Sequence, residues 1–165
     1  ALAGGLVSST AVTLAMAKQS RDEGALPEPL AGGVALAWAV MFARVVVLAA
    51  VVAPATFARL SPAFLAMAAV CGLASVWLLR SGRAPAMATA GLTDVDAISV
   101  AMAERARSVA EDLPLAVVAI VVASASNTLV KAGLAVGMGR GLGRSVLPVA
   151  ASSLLVGGVV LWASS

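Results

Sequence analysis

A chain of 165 residues that is 61% hydrophobic and only 12% charged, with a mean hydropathy of +1.03, lies far from soluble domains, in which about 25% of residues are charged. Its net charge of +3 rests on Lys and Arg held in short clusters without interleaved aromatics, a pattern that argues against nucleic acid as a partner and for a membrane face. Histidine and tyrosine are absent and Cys71 is the lone cysteine; without the usual neutral-pH base, a disulfide framework or a thiolate metal site, the chain is expected to be no enzyme and to carry no cofactor.

The first predicted segment, Ala1 to Ala17, lacks the basic start and cleavage site of a secretory signal. It opens in mid-helix without Met, which reads as a fragment or a processed product. After a polar link (Lys18, Arg21, Asp22, Glu23, Pro27, Glu28, Pro29), the second segment covers Leu30 to Ala53. Its 24 residues make about 36 Å of helix, against a bilayer core of about 30 Å. Pro54 and Pro62 are expected to bracket a short turn holding Arg59, before a third segment from Ala63 to Leu79 that Arg80 and Arg83 close. The fourth segment, Gly91 to Ala103, is only 13 residues and cannot span alone unless 84–90 joins it. The charged cluster Glu104, Arg105, Arg107, Glu111 and Asp112 follows it. The fifth segment is Leu113 to Val136; the sixth, Val146 to Ala163, comes after a Gly-rich link with Arg140 and Arg144. The expected fold class is therefore all-α, a polytopic transmembrane helical bundle whose first partner is the lipid bilayer.

The links after the first, third and fifth segments hold Lys18, Arg21, Arg80, Arg83, Arg140 and Arg144, against Arg59, Arg105 and Arg107 in the opposite links. Six against three places the first set in the cytoplasm. Small residues four apart, Gly4 with Ser8, Gly133 with Gly137 and Ser153 with Gly157, are the pattern that lets helix backbones approach closely in lipid.

The sequence also aligns with itself. A shift of 86 lays the run from Gly5 to Ala17 over that from Gly91 to Ala103: Gly-Leu, a polar knot, then apolar helix, with Thr13 over Ser99. A shift of 87 lays Arg44 over Lys131. The expectation is an internal two-fold repeat, with residues 1–83 as the first membrane repeat and 84–165 as the second. Inverted repeats of this kind build transporters whose site lies where short helices meet near the midplane.

Polar residues inside apolar runs are the candidate site. Asp94 and Asp96 enter the fourth segment, where they either form a membrane-embedded ion or proton site, and so are the candidate metal ligands, or act as helix caps at the capping-box spacing from Thr93. Ser8, Ser9, Thr10 and Thr13 offer hydroxyls in the matching place of the first segment. Ser124, Asn127, Thr128 and Lys131 share one helix face, either lining a polar path or hydrogen-bonding to neighbouring helices with Lys131 snorkelling to an interface. Arg44 and Lys131 are expected to offset Asp94 and Asp96.

The motifs Gly4-Gly5-Leu6-Val7-Ser8-Ser9-Thr10-Ala11-Val12-Thr13, Gly91-Leu92-Thr93-Asp94-Val95-Asp96-Ala97-Ile98-Ser99 and Ser126-Asn127-Thr128-Leu129-Val130-Lys131-Ala132 together resemble the uncharacterised polytopic domain of bacterial MgtC/SapB-type membrane proteins. The resemblance implies a multi-pass protein of the bacterial inner membrane. It also implies a further hydrophobic stretch before Gly4 and another between Arg83 and Gly91, both absent here; with these, each repeat would gain a crossing and the repeats would run parallel. Two functions follow as expectations: a transporter- or channel-like protein for a small ion, a cation or proton favoured, or a non-transporting regulatory or structural subunit that binds a partner membrane protein or a second copy.

Overall fold

The computed structural model describes residues 7–22, 25–52, 54–80 and 113–163. Among them are five helices and no strand: α1 (Val7–Gln19), α2 (Pro27–Val52), α3 (Pro54–Leu79), α4 (Leu113–Met138) and α5 (Gly143–Ala163). Four stretches are long and apolar enough to cross a membrane, Pro27–Ala50, Phe57–Leu79, Val117–Met138 and Gly143–Ala163, so the described residues form an all-α polytopic transmembrane bundle. By contrast α1, with 13 residues, measures about 20 Å. The expected fourth segment and the boundary at 83/84 lie outside the described residues.

Proline placement corrects one boundary. Instead of a turn between Pro54 and Pro62, α3 is continuous from Pro54 and carries Pro62 inside it. Pro54 sits at the helix start, where its missing N–H costs nothing. Pro62 leaves only the Ala58 carbonyl without its helical donor and has a φ that helices accept. Pro27 and Pro29 likewise fall in the first turn of α2, which begins before Leu30, and α5 starts at Gly143, ahead of Pro148.

The central helix is α2: 61% of its span is buried within the protein, against 28% to 33% for the other three. Val34, Ala37, Trp38 and Phe42 are fully enclosed, and Phe42 meets Phe64 of α3 edge-to-face at 6.0 Å, the geometry that aromatic quadrupoles favour. Outward positions are apolar too, with Leu73, Trp77, Val122, Leu155 and Trp162 exposed, as lipid-facing surfaces require.

Several contacts set the directions of the helices. A Cβ on Gly32 would press on Leu78 and Leu79, so α2 starts where α3 ends. At that same face the Ser20 hydroxyl accepts the Arg140 N–H at 2.8 Å and donates to the Ala17 carbonyl at 2.7 Å. Arg21 donates to the Met138 and Gly137 carbonyls, capping the end of α4. Gly141 takes the left-handed φ of 77° against Pro27. Hence α1, α3 and α4 end, and α2 and α5 begin, at one face. Lys18, Arg21, Arg80, Arg140 and Arg144 stand exposed there, and Arg59 stands exposed near the opposite end of α3.

Of the small-residue pairs, Ser153 with Gly157 makes a true crossing: both are buried, and a side chain on Gly157 would collide with Met67 of α3. Gly133 and Gly137 instead face open space. Gly4 lies outside the described residues.

Candidate functional site

The helix α1 packs against both α2 and α4, and the polar face of α4 turns into the angle between them. Ser124, Thr128 and Lys131 are buried, Lys131 to 1% exposure. The Lys131 ammonium lies 3.4 Å from the Met41 thioether of α2, and the Asn127 amide donates to the same sulfur at 2.8 Å. Thr128 donates back to the Ser124 carbonyl at 2.8 Å, so its hydroxyl proton is used within its own helix. From α1 comes Thr13, fully buried; Thr10, one turn earlier, is half-buried.

A snorkelling lysine holds its ammonium in water or among headgroups; this one is enclosed by protein. An ammonium inside a membrane bundle is expensive and therefore marks function more often than structure. Arg44, one turn beyond Met41 on α2, adds a second positive charge with a buried guanidinium nitrogen that has no hydrogen-bond partner. Trp38, one turn before Met41, carries an indole N–H in the same condition. Trp38, Met41 and Arg44 stand at three-residue spacing along α2, on one side of that helix.

The centre therefore sets two donors, Lys131 and Asn127, against a soft and weak acceptor, with the unpartnered nitrogens of Arg44 and Trp38 one turn to either side of it on α2. Among the described residues the acids are Asp22 and Glu28, both exposed at the cation-rich face, and no group of three His, Cys, Asp or Glu could hold a metal. The acids expected from the sequence to neutralise the centre, Asp94 and Asp96, lie outside the described residues, as does Ser99. Ser8 and Ser9 belong to α1, but their side chains are not among those described.

Sequence reasoning missed Met41 and Trp38. Both read as ordinary core residues, and the signal available was their three-residue spacing from Arg44.

The whole centre falls within a family match. Residues 1–87 and 81–139 match DUF4010, a domain of unknown function. The chain belongs to the DUF4010 family. The match names that uncharacterised domain and no MgtC/SapB-type protein. No curated protein and no solved structure matches the chain. The DUF4010 match takes in Thr13, Met41, Asn127 and Lys131 and stops before α5, so the polar centre lies within the matched stretch.

Proposed function

We propose that this DUF4010 protein is a transporter- or channel-like protein of the bacterial inner membrane, kin to the MgtC/SapB-type proteins, that passes a small ion along the polar seam between α1, α2 and α4. The observation that carries the reading is the Lys131 ammonium, enclosed in the bundle beside Met41 and Asn127. A fixed buried charge is costly to fold around, and its recurrent use in membranes is in ion and proton pathways. A cation is favoured because Asp94 and Asp96, the candidate ion-binding carboxylates, would attract one inside an apolar segment. Ser8, Ser9, Thr10, Thr13, Ser99, Asn127 and Thr128 supply neutral oxygens for a partly dehydrated ion. The two-fold repeat read from the sequence, 1–83 and 84–165, supports the same architecture. The test is ion flux in proteoliposomes, comparing wild type with the double change Asp94→Asn, Asp96→Asn and with Lys131→Met. Loss of flux in the variants is expected; absence of flux in wild type under every cation and proton gradient sinks the reading.

A second reading rests on Gly133 and Gly137, whose outward face meets nothing in the bundle. It suits a non-transporting subunit that docks a partner helix, or a second copy, against that face. Cross-linking from Gly133→Cys in native membranes distinguishes it: a specific adduct, with no flux in wild type, favours the subunit.

A further inference from the structure

A second feature lies between α3, α4 and α5, on elements other than α1 and α2. It is a cleft of about 150 Å³ lined by Phe64, Met67, Ser124, Gly157, Gly158 and Leu161, with no ionisable side chain on its wall. It sits about 20 Å along the helices from the cation-rich face, near mid-membrane. Gly158 is exposed, so the cleft opens toward lipid. Ser124 is buried to 1% exposure, and its hydroxyl on the wall has no hydrogen-bond partner, although a membrane serine can bond back to its own helix. The Ser124 carbonyl, by contrast, is taken by Thr128.

The geometry points to this cleft as a binding site for a small uncharged molecule dissolved in the bilayer, with an apolar body of about one substituted benzene ring and one hydrogen-bond acceptor for the Ser124 hydroxyl. Size follows from the volume, since apolar cavities of about 150 Å³ accept benzene. The absence of charge follows from a wall that offers no counter-ion at a depth where an ion would be costly. The acceptor follows from the hydroxyl, whose desolvation is otherwise uncompensated. A lipid tail fills apolar space but brings no acceptor, which separates it from the proposed occupant.

Gly158 allows a clean test, because it lines the cleft and a side chain there meets nothing within 4 Å. The full chain in lipid nanodiscs is titrated with 4-fluoroanisole, with 4-fluorotoluene as the analogue lacking an acceptor, and ¹⁹F line broadening is compared with empty nanodiscs. Wild type is expected to show saturable broadening by 4-fluoroanisole that unlabelled anisole reverses. Gly158→Val abolishes it; Ser124→Ala weakens it about fivefold to tenfold, the scale of one hydrogen bond. Both variants are checked for fold by thermal melting, and Ser124→Ala decides if Gly158→Val does not fold. The proposal is overturned if wild type shows no saturable binding, if filling the cleft leaves binding unchanged, or if 4-fluorotoluene binds as well as 4-fluoroanisole.

Discussion

Lys131 and Met41 meet inside the bundle, the ammonium 3.4 Å from the thioether sulfur. A thioether is a weak acceptor, so this one contact compensates only part of the cost of taking the charge out of water. Lys131→Met should therefore leave the purified protein folded while lowering ion flux at least about tenfold. Combined with Asp94→Asn, it should show a coupling of about 0.5–3 kcal/mol in thermal unfolding, the range for residues in one network. Strict additivity would separate Lys131 from Asp94.

Met41 itself can be tested by size and chemistry in turn. Met41→Leu keeps volume and removes the sulfur, at an expected cost under about 1.5 kcal/mol. Met41→Ala opens a cavity beside Phe42 and costs about 2–5 kcal/mol. Equal costs for the two would show that packing does not hold the site.

At the α3/α5 crossing, Gly157→Val should destabilise by about 1–3 kcal/mol through collision with Met67. Gly133→Val, made into open space, should change melting in detergent by less than about 0.5 kcal/mol. The contrast between two glycines of one composition is the measurement.

Arg21 caps the end of α4 from the end of α1. Arg21→Ala should cost about 0.5–1.5 kcal/mol and speed amide hydrogen exchange around Gly139 and Arg140, while exchange in the middle of α2 stays slow.

Side-specific labelling checks the topology. In a Cys71→Ser background, cysteines placed at Lys18 and Arg140 should react with an impermeant maleimide from the same side of the membrane, and one at Arg59 from the other. Reaction of all three from one side would contradict the shared face.

The long spans were legible because an apolar run of more than 20 residues has few homes but a membrane, and Arg44 and Lys131 stood out for the same reason, as charges inside such runs. The start of α3 was not legible: a proline counts as a breaker on local rules, yet at Pro62 it removes one backbone bond that a long helix packed on α2 can lose. Met41 was invisible because its partners lie 86 and 90 positions away, and nothing local marks a methionine that accepts from an ammonium. The pair Gly133 and Gly137 shows the converse, a spacing rule satisfied without a crossing inside the bundle.

Because α1 and α4 end at the cation-rich face while α2 begins there, two of the three peptide dipoles along the seam point one way and one points the other, leaving a net dipole of about one helix. The carbonyl ends of α1 and α4 lie toward that face, and Lys131 stands about two turns before the end of α4. In a low-dielectric setting this field reaches further than in water, and it gives the seam an electrical direction. An ion entering from the two sides would meet unequal potentials, so rectification, a larger current in one direction than the other at equal and opposite voltages, is the signature this pair of helices imposes on any flux through it.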